Sequence, residues 1–235
     1  MPFIEPVPLP HGGPSDITLW RIDFPFDASL DDSPAFACLS DDERVRAGRF
    51  LRHEDAVRFG GTRAALRELL ARHLEVTAQA VRFAKDANGR PQLAQSAAFD
   101  FNVSHTGAHG LIAISPLRRV GVDIEQHRVG FDWRSIAPLT LDPAEVTWLE
   151  RRDAVEQSSA FYDAWVAKEA LVKTTGAGIA RGLQHLAVLP REDAQVVLRN
   201  GIPDDMRDIA AQWIAAPQGY SACVAWSMTP FSHRR

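Results

Sequence analysis

The sequence predicts an α+β fold made of two similar halves, and three observations predict it. Helical stretches open on capping residues and carry apolar faces, short apolar runs are punctuated by Gly, Pro and Asn, and both patterns recur in a similar layout either side of Pro116. With 235 residues, 46% of them hydrophobic, the chain can bury the core of one large domain or of two small ones packed together. The division expected is an N-terminal half over 1–117, led by a proline-rich arm over 1–15, and a C-terminal half over 118–235.

The elements follow in chain order. Pro2, Pro6, Pro8 and Pro10 remove backbone donors and fix local dihedrals, so the arm is expected to be extended and ordered only if it docks. Ser40 followed by Asp41, Asp42 and Glu43 signals a capped helix with negative charge at the positive end of its dipole. Leu66, Leu69, Leu70 and Leu74 mark a second helical face after Gly60 and Gly61. Residues 81–93 read as two short strands around an Asn88-Gly89 type I′ turn, and further strands are expected over 99–103, 111–115 and 120–124. Asp142-Pro143-Ala144-Glu145 opens a helix running towards Arg151, and the strongest helix is expected over 161–175, ended by Gly176.

Composition excludes several function classes. A net charge of −4 and a pI near 6.1 argue against nucleic-acid binding through a basic surface. Two cysteines, Cys38 and Cys223, form neither a disulfide framework nor a Cys-rich zinc site, and they fit a reducing, cytoplasmic home. Residues 1–14 lack a basic segment followed by an apolar run, and no stretch approaches the ~20 apolar residues of a membrane span. Two halves in one chain make a monomer adequate.

Several residues could carry chemistry. Asp123 and Glu125 stand at i and i+2 of a strand, so both carboxylates leave the same face about 7 Å apart at the backbone, a spacing suited to one hard cation or simply to a solvated strand face. Glu169 lies in a nearly apolar helix, where a carboxylate is costly unless paired or metal-bound; Trp165, Glu169 and Lys173 share its stripe, and an i,i+4 Glu-to-Lys pair is the plain alternative. Asn102-Val103-Ser104-His105-Thr106-Gly107 ends a strand with hydroxyl, imidazole and glycine together, able to line a phosphate or to close an ordinary turn. A Ser104–His105 nucleophile pair is disfavoured, because adjacent strand residues face opposite ways. Arginines 44, 46, 49, 52, 58, 63, 67 and 72 crowd the first two helices, where most are expected on solvated faces and one or two on phosphates.

Asn102-Val103-Ser104-His105, Val120-Gly121-Val122-Asp123-Ile124-Glu125 and Trp165-Val166-Ala167-Lys168-Glu169-Ala170-Leu171-Val172-Lys173, in that order and spacing, resemble the Sfp-type 4'-phosphopantetheinyl transferases. Gly89-Arg90-Pro91 is similar to the Gly-Lys-Pro of that family, and Arg46-Ala47-Gly48-Arg49-Phe50 to its basic helix, so the resemblance spans roughly residues 40–180. It implies two α+β halves in pseudo-two-fold arrangement with the site in the cleft between them. It implies a Mg2+ ion held by Asp123, Glu125 and Glu169, and coenzyme A as substrate, touched by Ser104, His105 and Lys173, by Arg46 on the 3'-phosphate side, and by Gly89 and Arg90 at the adenine edge. Arg90 stands where lysine is usual, which changes the contact geometry available there. Lys168 lies about 100° around the helix from Glu169, towards the fold or the cleft wall.

The reaction implied is transfer of 4'-phosphopantetheine to a serine of an apo acyl or peptidyl carrier protein, with Glu169 taking the serine proton and Asp123 and Lys173 in the catalytic group. The segment 174–189, with Arg181, is by its position in the family a candidate groove for the carrier, or else an ordinary loop and strand. A Mg-dependent nucleotide phosphohydrolase and a catalytically silent carrier-binding paralogue are the alternative readings.

Overall fold

The computed structural model describes residues 3–10, 12–30, 33–86, 89–94, 99–176 and 182–230. Helices and strands are mixed along the chain, as an α+β fold requires. Four strands form one antiparallel sheet in the order β1 (Phe3–Pro6), β2 (Thr18–Asp23), β6 (His109–Ser115), β5 (Asp100–Thr106). The proline-rich arm is therefore docked: β1 pairs with β2, and the N–H of Val7 continues the contact to the carbonyl of Leu19 at 2.8 Å. Pro6 sits on this edge strand, where a missing donor costs the ladder nothing.

Helix α1 (Asp41–Ala47) begins with a full capping box: Ser40 accepts from the N–H of Glu43 at 3.3 Å, and the Glu43 carboxylate accepts from the N–H of Ser40 at 2.9 Å. Helix α2 (His53–Leu74) runs straight through Gly60 and Gly61. Packing explains this: a Cβ at Gly60 would meet Leu30 at 2.8 Å, and one at Gly61 would meet Phe24 at 3.0 Å. The hairpin of β3 (Phe83–Lys85) and β4 (Pro91–Leu93) forms, but its register pairs Lys85 with Pro91. Five residues therefore connect the strands, so the two-residue type I′ turn expected is not the one adopted; Asn88 itself lies outside the described residues. The N–H of Asp86 reaches the carbonyl of Arg90 at 3.0 Å and closes the loop.

The second sheet is antiparallel in the order β7 (Val120–Gln126), β9 (Tyr220–Ser227), β8 (Ile209–Trp213). Short α3 (Ala137–Thr140) and α4 (Pro143–Leu149) lead to α5 (Ala154–Thr175), which packs across this sheet. It starts seven residues before the apolar run, because Asp153 caps it through the N–H groups of Val155 and Glu156 at 3.0 and 2.9 Å. Gly176, at φ 74°, ends it as expected.

Three apolar clusters organise the core. One lies between α2 and the first sheet, one between α5 and the second, and the third joins the two sheets through Leu19, Leu111, Val122, Ile124 and Val224. No helix among the described residues is long and apolar enough to cross a membrane. Both cysteines are free and buried.

Candidate active site

The site is built on the seam between the sheets. Alternation places Asp100, Asn102 and Ser104 on one face of β5, and each side chain reaches to β7. Asp100 accepts from the N–H of Val120 at 2.8 Å, Asn102 from the N–H of Val122 at 2.9 Å, and Ser104 donates to Asp123 Oδ1 at 2.7 Å. Side chains thus take the place of a backbone ladder between the two edge strands.

Helix α5 approaches the same strand closely because residue 121 is glycine. A Cβ there would fall 2.3 Å from the carbonyl oxygen of Ala170 and 2.4 Å from Thr174 Oγ1. That approach brings Lys173 Nζ to Asp123 Oδ1 at 2.6 Å, with the carbonyl of Val122 at 3.3 Å and Ser104 Oγ at 3.4 Å. Asp123 is 2% exposed, and its other oxygen, Oδ2, is buried without a hydrogen-bond partner.

Glu125, on the same face of β7, has its carboxyl pushed up to about 7 by burial first and by the negative charge of Asp123 second. Glu169 is also raised, by burial, while Lys173 opposes the shift and Asp123 adds to it. Asp123 is therefore the electrostatic neighbour of both glutamates. Among the described residues, however, no three carboxylate, imidazole or thiolate side chains are gathered to a common metal point. A divalent cation still fits the chemistry here: the donors are hard oxygens, one of them is orphaned, and two carboxyls are held towards their neutral forms.

His105 leans edge-on against Phe24, ring centroids 6.2 Å apart; desolvation, then the charges of Arg58 and Lys173, hold it below the ordinary histidine value. Arg46 stacks over Phe59 at 4.8 Å and lines a cavity of about 620 Å³ with Arg63, Lys85, Phe83 and Pro91. Sequence reasoning placed Arg63 among eight arginines without singling it out. Its Nη1 is buried without a partner among the described residues, and its ionic contact, Glu43 Oε1 at 3.6 Å, is a long one to a carboxylate whose other oxygen pairs with Arg67 at 2.8 Å. Arg67 is buried rather than solvated, giving two further hydrogen bonds to the carbonyls of Ala78 and Val81. The signal available was the i,i+4 spacing of Arg63 and Arg67, opposite a single capping glutamate.

Other expected residues fall outside this cluster. Gly89, at φ 81°, belongs to the β3–β4 loop, and the Arg90 guanidinium beside it contacts protein acceptors on β5, β7 and α5. Lys168 is wholly buried on the far side of α5, against Glu145 and the carbonyl of Thr140. Arg181 and 177–180 of the candidate carrier groove lie outside the described residues; Leu183, Leu186, Val188 and Leu189 belong to the core.

One buried carboxylate, Asp123, and two half-buried ones, Glu125 and Glu169, thus stand beside a lysine and a serine, and a separate cavity is lined by arginines together with Asp41, Asp42 and Glu43, an arrangement that can take a phosphate-bearing ligand once the carboxylate charge is offset. Comparison with known proteins narrows this. Residues 119–225 match the 4'-phosphopantetheinyl transferase superfamily profile, and residues 28–117 match the 4'-phosphopantetheinyl transferase N-terminal profile. The chain is 34% identical to the 4'-phosphopantetheinyl transferase HetI of Nostoc over 81% of its own length and 84% of that protein's. It is 30% identical to the 4'-phosphopantetheinyl transferase psf-1 of Bacillus pumilus, over 79% and 78%. With the 4'-phosphopantetheinyl transferase Sfp of Bacillus subtilis it shares 26% identity, over 79% and 81%. The chain belongs to the 4'-phosphopantetheinyl transferase superfamily.

Proposed function

We propose that this protein transfers 4'-phosphopantetheine from coenzyme A to a serine hydroxyl of an apo acyl or peptidyl carrier protein and releases adenosine 3',5'-bisphosphate. The observation that carries the reading is the Ser104–Asp123–Lys173 cluster, flanked by Glu125 and Glu169 and built where two sheets meet.

Each residue has a task in that reaction. Arg46 and Arg63 supply positive charge for the 3'-phosphate in the cavity they line, whose wall also includes Lys85 and Pro91 at the two ends of the loop that carries Gly89. His105 offers a hydrogen bond to the pyrophosphate, and Ser104 offers one only by turning its proton away from Asp123 Oδ1. Glu169, its carboxyl raised by burial, accepts the proton of the incoming serine as that oxygen bonds to the pantetheine-side phosphorus. The bond from that phosphorus to the bridging oxygen breaks, and the Lys173 ammonium stabilises the charge left on the departing phosphate. Asp123 holds Lys173 and Ser104 in place. Mg2+, held by Asp123, Glu125 and Glu169, would when bound supply neutralisation of the pyrophosphate charge. We read the working form as a cytoplasmic monomer of two halves, 1–117 and 118–235.

The test mixes apo carrier proteins, coenzyme A and magnesium and measures carrier mass. A gain of one phosphopantetheine is expected. Adenosine 3',5'-bisphosphate released without any carrier would instead make the protein a phosphohydrolase, and binding of carrier with no transfer would make it catalytically silent.

Metal dependence carries its own prediction. An acid raised from 4.5 to about 7 is neutral in both folded and unfolded chains at low pH, so the stability linked to Glu125 is fully present there and is lost as pH rises through about 7. Added magnesium should therefore raise Tm more at about pH 8 than at about pH 6. Scanning fluorimetry at the two values checks this, and a larger shift at the lower pH would remove the metal from these carboxylates.

A further inference from the structure

Arg90 makes the most demanding set of contacts near the site. Its Nη2 donates to Asp100 Oδ2 at 2.7 Å, to the carbonyl of Val120 at 2.8 Å and to the carbonyl of Phe101 at 3.2 Å, while its Nη1 donates to the carbonyl of Lys173. One guanidinium in the β3–β4 loop thereby touches β5, the first residue of β7 and the last turn of α5. Asp100 Oδ2 is shared: it also accepts from the N–H of Val120, so the start of β7 is gripped by both its N–H and its C=O. Burial raises the Asp100 carboxyl, and Arg90 is the first of the influences that oppose it.

The contact to Lys173 matters most. Its carbonyl is among the last four of α5, the groups a helix leaves without internal partners, and a cation there also suits the negative end of the helix dipole. The same residue carries the ammonium that sits on Asp123. Its backbone is thus pinned from one side and its side chain used on the other.

We infer that Arg90 is a positioning residue: paired with Asp100, it locks the last turn of α5 to the start of β7 and so holds Lys173 on Asp123, rather than contacting coenzyme A. A planar fork spreads its donors over two nitrogens and holds acceptors on three elements in one fixed geometry; a lysine ammonium presents its three donors from a single point on a flexible stem and would have to draw those acceptors, here placed for a guanidinium, closer together. The inference rests on the proposed transfer reaction for its kinetic consequence but not for its structural one.

The experiment compares wild type, Arg90→Lys, Lys173→Ala and the double variant for kcat/KM with coenzyme A, and follows amide exchange at Val120 without substrate. Arg90→Lys is expected to lower kcat/KM by about 10- to 100-fold, as small misplacements of reacting groups do. In the Lys173→Ala background it should add less than about twofold, because its effect runs through Lys173. Exchange at Val120 should quicken by about tenfold or more as two of its anchors loosen. Multiplicative losses in the double variant, or unchanged exchange at Val120, would each overturn the inference. If wild type shows no transfer at all, the reaction is wrong, and the exchange result alone decides whether Arg90 holds the seam.

Discussion

Asp123→Ala is expected to lower phosphopantetheine transfer by about a thousandfold while leaving a folded protein. The loss in rate follows from how much converges on this one carboxylate: Lys173 and Ser104 bond to Oδ1, Oδ2 is a buried acceptor without a partner, and its charge is felt by both Glu125 and Glu169. Stability should change little. Asp123 is a buried charge that raises Glu125 and Glu169, so its removal relieves repulsion as well as breaking an ion pair. Lys173 is partly exposed and keeps the Val122 carbonyl, so its ammonium stays hydrated in the variant. Steady-state kinetics beside a thermal melt checks both halves of the expectation. Transfer within about tenfold of wild type would take Asp123 out of the site, and a melt lowered by more than about 10 °C would make it a structural residue first.

The same cluster indicates how far a sequence can be read. Asp123 and Glu125 were visible as an i,i+2 pair, and Glu169 and Lys173 as an i,i+4 pair, because strand and helix periods are local properties of the chain. That Lys173 would pair with Asp123 and not with Glu169 was not visible. It depends on Gly121 letting α5 close onto β7, which is a tertiary contact. Asp100, Asn102 and Ser104 alternate along a strand, but Asn102 and Ser104 read in the sequence as a phosphate lining or a turn and Asp100 carries no signal of its own, so the polar seam the three form was not legible. The β9 strand went unread for another reason: 222–226 is short and apolar throughout, and periodicity does not distinguish such a run from buried helix. The internal contacts of Arg90 were not legible either, since a Gly-Arg-Pro triplet carries no sign of which elements the guanidinium will reach.

Lys168 differs from Lys173 in everything except its helix, and a substitution there should act on stability instead of chemistry. Lys168 and Glu145 form an ion pair with essentially no exposure, and the pair is embedded in further bonds: the Lys168 ammonium also donates to the carbonyl of Thr140 at 2.7 Å, and Glu145 accepts from the N–H groups of Val188 and Leu189 at 2.7 and 3.1 Å. Glu145 also closes the capping box of α4 through the N–H of Asp142 at 3.0 Å. One buried pair thus ties α5, α4 and the 183–189 segment together. Lys168→Met leaves the Glu145 carboxylate buried without its cation, which costs about 3–5 kcal/mol in comparable settings. For a chain of this size that corresponds to a Tm lowered by roughly 6–20 °C. Adding Glu145→Gln removes the uncompensated charge and keeps one oxygen, which can serve the Val188 and Leu189 N–H groups on the Oε1 side but leaves the N–H of Asp142 on the Oε2 side without its acceptor; relief of the buried charge is the larger effect, so the double variant should still melt higher than Lys168→Met alone. Catalytic rate per folded molecule should stay within about threefold in both. A Lys168→Met protein that melts like wild type but transfers poorly would place this lysine in the reaction, against its burial on the far side of α5 from Asp123.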